Sequence, residues 1–221
     1  MRYIVACGVD MELYVTLGKN GESILEVKRS EFLGYAAHIT SEPEARAFVD
    51  AIRKKHADAR HNVYAYCVKE NNIIRYSDDG EPQGTAGLPV LDILRKGGIT
   101  DAVIVVTRYF GGTLLGTGGL VHAYSAAAKA AVEDAGLITL VPYEEYRLTV
   151  SYPLYQRIPL LFKGYPVIVD ATEFEADVVI TMAIKAGHFE KLSEALREAS
   201  GGKVKVEYLG ERMDREDLPL A

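Results

Sequence analysis

The sequence has little cysteine, no long apolar run and no strong charge of either sign. Its two cysteines, Cys7 and Cys67, stand among 221 residues. Two cannot build a disulfide framework, and without a CxxC or a Cys/His cluster there is no zinc pattern. Both are expected as reduced thiols, and the chain as a cytoplasmic protein. No apolar run approaches the roughly 18 residues of a membrane-spanning helix, so no membrane partner is expected. The N-terminus has no charged segment followed by an apolar core, and so no secretory signal is expected. A GxSxG nucleophile motif, a Walker lysine pattern and an internal repeat are all missing. Net charge is only −6. Lys and Arg number 15 against 17 Asp and Glu up to Tyr143, and 10 against 14 after it. Neither half is a nucleic-acid footprint, which leaves at most a local basic patch.

What the sequence does have is glycine, concentrated between Ser77 and Leu120. The stretch reads SDDGEPQGTAGLP, a short helix, an apolar run, and then TRYFGGTLLGTGGL. Gly80, Gly84 and Gly87 sit in the first loop. Gly111, Gly112, Gly116, Gly118 and Gly119 sit in the second. Glycine serves a loop that needs positive φ or close backbone approach. Each loop follows an apolar run and enters a helical one, a pattern unlike disorder.

Along the chain, residues 1–10 fit poorly with the pattern of the remainder. They are expected either to be poorly ordered or to pair as an edge strand, and Met11 can itself serve as a start. Leu13–Leu17, Ile24–Lys28 and Leu33–Ile39 read as strands, the first two joined in a hairpin by Lys19-Asn20-Gly21. Ser41 and Glu44 form a capping box before a helix whose apolar face is Ala45, Phe48, Val49 and Ile52. Its other face, Arg46, Asp50, Arg53, Lys54 and Lys55, is either a solvated surface or an RNA or partner contact. Asn62–Lys69 and Ile73–Ser77 predict a hairpin. Thr85 opens a helix carrying Leu88, Leu91 and Leu94, ended by Gly97-Gly98. Asp101–Thr107 predicts a strand buried on both faces. Leu120–Ala135 predicts a helix with seven alanines, small enough to approach a sheet closely. Ile138–Val141 is a last strand, closed by Pro142.

The first domain therefore spans 1–143 and a second one 144–221. In the second, strands are expected at Tyr146–Ser151, Val167–Ala171, Phe174–Ile184 and Lys203–Leu209. Helices are expected at Pro153–Lys163, kinked at Pro159, and around Phe189–Ala199. The order βαββαβ is ferredoxin-like, and the fold class is α+β. The tail from Gly210 is expected to be charged and mobile.

If the strands before the two loops share a direction, both loops lie at one end of one sheet and form one concave site. In the second loop, Gly116, Gly118 and Gly119 offer backbone N–H groups before a helix N-terminus. Arg108 supplies positive charge, and Tyr109 and Phe110 flat surfaces for a base. The alternative is that these rings are core and the glycines serve tight turns. In the first loop, Asp78, Asp79 and Glu81 are able to hold Mg²⁺ with a phosphate, or to neutralise Arg108 or Arg60, or to serve turns. No catalytic nucleophile is expected. His61 and His122 lie near the loops, as general acid/base groups or as structural histidines. A Ser125/Lys129 pair is expected to be buried on its helix.

These residues carry a resemblance. RHNVYAYCV, YSDDGEPQGTAGLPVL and VVTRYFGGTLLGTGGLVHAYSAAAKAA resemble the YigZ/IMPACT family, and RSEF at Arg29–Phe32 matches its upstream Ser-x-Phe. The resemblance covers Met11 to about Val141, and family members begin near Met11. The region after Glu144 is similar to the C-terminal domain of bacterial, two-domain members. The resemblance implies a left-handed βαβ first domain like elongation factor G domain IV and the GHMP kinases, against the usual crossover hand. It implies a ferredoxin-like second domain of the elongation factor G kind. Both relatives touch ribosomal RNA, which is fold-level analogy. The eukaryotic member modulates translation through a ribosome-associated activator of a stress kinase, a pathway that a bacterial-type chain lacks. The functional expectation is a translation-linked regulator that binds RNA, a ribosome or a protein partner. The alternative is a phosphotransferase or hydrolase acting on a small phosphorylated ligand.

Overall fold

The computed structural model describes residues 2–4 and 10–216. Its first strands, β1 (Arg2–Ile4) and β2 (Asp10–Glu12), pair antiparallel. They form a two-stranded sheet of their own; the rest of the expectation for residues 1–10, and Cys7, lies outside the described residues. The chain divides into two units, Tyr14–Ile138 and a second made of Thr139 onward with the residues before Tyr14. The expected boundary at 143/144 falls inside a strand.

The first unit runs β3 (Tyr14–Leu17), β4 (Gly21–Val27), β5 (Ser30–His38), α1 (Glu42–Lys55), β6 (His61–Val68), β7 (Ile73–Ser77), α2 (Gly87–Lys96), β8 (Ala102–Tyr109) and α3 (Gly116–Ala135). Its sheet has the order β4-β5-β8-β6-β7, and every neighbouring pair is antiparallel. It follows that β5 and β6 run parallel on either side of β8, joined through α1. By the same logic β7 and β8 run parallel on either side of β6, joined through α2. These are split βαβ units, in keeping with the expected α+β class.

Alternation along β8 sets the layers. Ala102, Ile104 and Val106 point into a core with α2 and α3, whereas Val103 and Val105 point into another with α1. All five are fully buried. That explains why the run is apolar throughout rather than every second residue. Ser41 Oγ accepts the Glu44 N–H at 3.4 Å, and Ala45, Val49 and Ile52 are buried, as their spacing predicts. The polar face of α1 is laced with carboxylates: Arg46 pairs with Glu42, Arg53 with Asp79, and Lys55 with Glu22. In α2, Leu91 and Leu94 are buried but Leu88 is 38% exposed.

Three local expectations fail here. β3 does not pair with β4; it bridges in parallel to Ile99. The hairpin is β4–β5, turned by Lys28 and Arg29, both at positive φ. This is a two-residue turn without the glycine or asparagine that usually announces one. β8 runs two residues beyond Thr107, and α3 begins at Gly116 rather than Leu120.

The alanine face of α3 does what its composition predicts. A Cβ on Gly21 would meet the Ala131 carbonyl at 2.1 Å, and one on Gly34 the Ala127 carbonyl at 2.7 Å. Helix and sheet backbones touch there with no room for a methyl group.

The second unit follows β9 (Leu137–Val150), α4 (Tyr152–Tyr155), α5 (Ile158–Phe162), β10 (Val167–Phe174), β11 (Val178–Lys185), α6 (Phe189–Ser200) and β12 (Lys205–Arg215). Its strands are ordered β10-β11-β9-β12, all antiparallel, the ferredoxin-like arrangement. Leu148, Ile180, Met182, Leu192 and Phe162 centre its core.

The differences have physical reasons. Pro142 does not end a strand, because its carbonyl accepts the Ala186 N–H just past the last β9–β11 pair, Tyr143↔Lys185. On its other side the ladder with β12 continues, with Met213 opposite Pro142. Pro159 splits the expected helix into α4 and α5 and sits in the first turn of α5, where proline is tolerated. Phe174 ends β10, and the turn 175–177 separates it from β11. The chain beyond Gly210 continues as β12, because its charges are paired: Arg212 bonds Glu145, Asp170 and Asp214. Among the described residues no helix is long and apolar enough to cross a membrane. Cys67 is buried, and burial pushes its thiol pKa up.

The contact between α3 and the sheet is directly testable. Gly21→Ala forces α3 outward and should destabilise the protein by about 1–3 kcal/mol, read as a lower urea midpoint at unchanged slope. An unchanged midpoint would mean that α3 yields to a methyl group at this contact without cost.

Candidate functional site

Since β7 and β8 are parallel, the loops that follow them, 78–86 and 110–115, leave the same end of the sheet. β5 and β6 run the other way and begin there, with Ser30 and His61. The element ends therefore bring Ser30, His61, Asp78, Asp79, Glu81, Arg108 and Phe110 to one side.

At the centre, Arg108 Nη1 donates to Glu81 Oε1 at 2.7 Å, with only 6% and 4% of the two side chains exposed. Tyr124 of α3 donates its hydroxyl to the same oxygen at 2.8 Å. Burial, then the Glu81 charge, pushes the Tyr124 pKa up, so the phenol stays a donor. Arg108 Nη2 reaches Ser30 Oγ at 3.4 Å, and Ser30 Oγ accepts the Gly111 N–H at 3.2 Å. The guanidinium carbon stands 5.4 Å from the Phe32 ring centroid and 5.5 Å from that of Phe110. Its Nε has no hydrogen-bond partner. The Arg108 charge is thus buried and neutralised, not presented to solvent. The neutralising role of Glu81 is the one observed.

The other two acidic residues turn away. Asp78 accepts the N–H groups of Gly84, Ala86 and Gly87 at 2.8–3.0 Å and shapes the entry to α2. Asp79 pairs with Arg53 at 2.9 Å and accepts the Asn62 N–H at 2.7 Å. The three carboxylates do not converge on a common point, and among the described residues no His/Cys/Asp/Glu group has metal-site geometry. Mg²⁺ there would have to displace these partners.

Tyr109, next along β8, points to the opposite face and leaves the site. Its hydroxyl donates to Asp58 at 2.8 Å. With that proton committed, His56 Nδ1–H donates to the Tyr109 oxygen at 3.0 Å, and Nε2 accepts from the Tyr35 hydroxyl at 2.7 Å. Burial, then the Lys55 charge, holds the His56 pKa below the ordinary imidazole value.

Between the loops lies a cavity of about 460 Å³, lined by Arg60, His61, Arg108, Phe110, Leu114 and Thr117 among others. Arg60 is exposed, Phe110 is 49% exposed and Leu114 is 83% exposed. His61 Nδ1–H donates to the Asp79 carbonyl at 2.8 Å, so Nε2 is the acceptor of the neutral ring. No side chain caps α3, which starts at Gly116. Its first N–H groups have no intrahelical partner. Gly118 and Gly119 belong to that first turn rather than to the loop. Gly111 is needed for close approach, since a Cβ would fall 1.9 Å from the Arg29 carbonyl oxygen. Gly112 turns the loop at φ +82°.

The structure thus gathers His61, Glu81, Arg108, Phe110, Gly111, Gly112 and Gly116 around one place and leaves Tyr109, Asp78 and Asp79 out of it. His122 is exposed along α3. Ser125 is half-buried and Lys129 is exposed, paired with Glu133 at 3.6 Å, contrary to a buried Ser/Lys pair. Sequence reasoning gave no role to Ser30, Phe32, Tyr124 or Leu114. The Ser-x-Phe motif was the one signal for the first two.

The buried pair and His56 each make a testable case. Glu81→Gln strands a buried guanidinium and should cost about 3–5 kcal/mol, while Arg108→Met combined with Glu81→Leu should recover most of it. Paired denaturation curves check both. His56 is held neutral, so the unfolded state binds more protons below about pH 6.5. Its contribution is full above that value and is lost as pH falls through the lowered folded value. Wild-type urea midpoints should drop from about pH 7.5 to about 5.5, and the drop should shrink in His56→Gln.

Comparison with known proteins finds relatives for both units. Residues 28–132 match the Impact N-terminal domain, and residues 148–203 match a domain of unknown function, DUF1949. IMPACT family member YigZ of Escherichia coli is 34% identical over 184 residues, covering 82% of this chain and 90% of that one. IMPACT family member YvyE of Bacillus subtilis is 31% identical over 191 residues, covering 86% and 88%. A crystal structure of a hypothetical protein superposes with a TM-score of 0.59 at 32% identity, covering 90% of this chain and 98% of that one. The site lies inside the matched N-terminal region, and the match extends through both units: the chain belongs to the IMPACT family.

Proposed function

We propose that this is a cytoplasmic, translation-linked regulatory protein of the IMPACT type whose first unit binds RNA, free or in a ribosome, at the loop end of its sheet. Family membership supports the translation link. The observation that carries RNA is the make-up of one cavity: an exposed arginine, an uncapped helix N-terminus and an exposed aromatic ring. Cation and free N–H groups suit a phosphate, and Phe110 suits a stacked base. Arg108 is a positioning residue in this reading. It holds the two loops together and aligns Phe110. The phosphotransferase reading finds no comparable support, because Asp78, Asp79 and Glu81 are each committed to a protein partner.

Filter binding to single-stranded RNA across a salt series tests the proposal. Arg60→Ala should weaken binding and reduce the salt slope by about 0.7, the share of one single-strand phosphate contact. Phe110→Ala should weaken it about 5-fold or more. Gly118→Ala should raise the melting temperature slightly, since alanine is the better helix former, yet weaken RNA binding by obstructing backbone approach. If all three variants bind as wild type does, the loop end is not the RNA site.

A further inference from the structure

A second cationic cavity lies in the second unit. It has a volume of about 500 Å³ and is lined by Ser151, Arg157, Asp177, Ser200, Lys203 and Lys205 among others. The fold collects these residues at one end of its sheet. The end of β9, the start of β11, the end of α6 and the start of β12 all meet there.

Several surface cations have carboxylate partners, on α1 and around Arg212 for example. Among the described residues, Arg157, Lys203 and Lys205 make no ion pair. Arg157 Nη1 gives only a 3.4 Å hydrogen bond to the Ala199 carbonyl in the last turn of α6. That contact and the helix dipole account for one cation at a helix C-terminus. They do not account for three that line one cavity with a single carboxylate, Asp177, in a chain of net charge −6.

Two exposed rings stand on the segments that flank lining residues, Tyr152 between Ser151 and Pro153, and Phe174 three residues before Asp177. Phe174 is 59% exposed and Tyr152 is 45% exposed. Their centroids are 6.4 Å apart with planes at 29°, and Tyr155 packs edge-on against Phe174 at 5.3 Å. The Tyr152 hydroxyl donates to the Glu175 carbonyl at 2.9 Å, which fixes the ring. The rings support each other and still leave about half of their surface open to solvent. A row of unneutralised cations flanked by a stacking platform is the arrangement that holds a single nucleic-acid strand, phosphates on one side and bases on the other.

We infer that the second unit carries a binding site for single-stranded nucleic acid, with phosphates held by Arg157, Lys203 and Lys205 and a base stacked on Phe174 and Tyr152. This site does not depend on the RNA reading of the loop end.

The test uses the full chain and a fluorescent 12-nucleotide single strand, measured by anisotropy across a salt series. Lys203→Ala combined with Lys205→Ala should lower the slope of log K against log salt by roughly 1.4, two contacts at about 0.7 each. Phe174→Ala should weaken binding about 5-fold or more and leave that slope unchanged. An abasic strand of equal length should bind more weakly to wild type and equally to wild type and Phe174→Ala. Arg60→Ala with Phe110→Ala, measured alongside, separates the two sites. If only the loop variants change binding, this inference fails and the loop reading stands. If only the second-unit variants do, the reverse holds. An abasic strand that binds as tightly as the normal one would reduce the site to a general polyanion patch and overturn the nucleic-acid assignment.

Discussion

One buried ion pair organises the first unit. Arg108 stands at the end of β8 and Glu81 lies 27 residues earlier, in the loop between β7 and α2. Their bond ties that loop to the central strand. Tyr124 adds α3 to the same carboxylate oxygen, and Ser30 adds the start of β5 through both Arg108 and Gly111. Desolvating two full charges is expensive, and an apolar pair of similar volume commonly serves stability as well or better. What the charges add is directional: a guanidinium and a carboxylate meet in few geometries, whereas apolar side chains slide. The pair therefore fixes where the two glycine loops sit relative to each other. It also holds the guanidinium 5.5 Å from the centroid of the Phe110 ring, which stays half exposed.

Much of the framework was legible because it is local or periodic. The apolar run of β8 implied burial on both faces, and the alternation of its side chains between two cores is the reason. The Ser41 cap and the Ala45, Val49 and Ile52 spacing gave α1. The hairpin of β6 and β7 was visible from its turn, and the βαββαβ order from pattern switching. The placement of both loops at one sheet end followed from a condition on strand direction, and the ladder meets it.

What was not legible depends on partners distant in sequence. A window of residues assigns charge to solvent, so Arg108 was read as the cation of a binding loop, with neutralisation by the acidic loop as the alternative, and the chain after Gly210 as a mobile tail. Glu81 buries the first, and Glu145 and Asp170 organise the second into β12. Tyr109 read as a companion of Phe110, because the strand was expected to end at Thr107. Two more residues of pleat send Tyr109 to the α1 face, where His56 and Asp58 take its hydroxyl. The β4–β5 turn carries lysine and arginine at positive φ, residues that give no turn signal of their own. Its geometry is imposed by the ladder on both sides rather than by local preference.

The glycines of the two loops separate folding from function. Gly87 and Gly111 are required by packing, since an added Cβ would strike backbone at 2.7 and 1.9 Å. Gly84, Gly112 and Gly116 are required by positive φ. Gly118 meets neither condition: its φ is ordinary, and nothing lies within 4 Å of where a Cβ would stand. In the first turn of a helix, alanine there would favour the fold, because glycine loses more backbone freedom on ordering. The fold thus has no use for this glycine. The remaining physical use of a missing side chain is to let something outside the chain come close to the backbone, and the backbone at that point is the uncapped N-terminus of α3 beside Arg60 and Phe110. An anion approaching those N–H groups needs the space that a methyl group would occupy. In the proposed RNA reading, the position that folding leaves unexplained is the one where a phosphate meets the backbone.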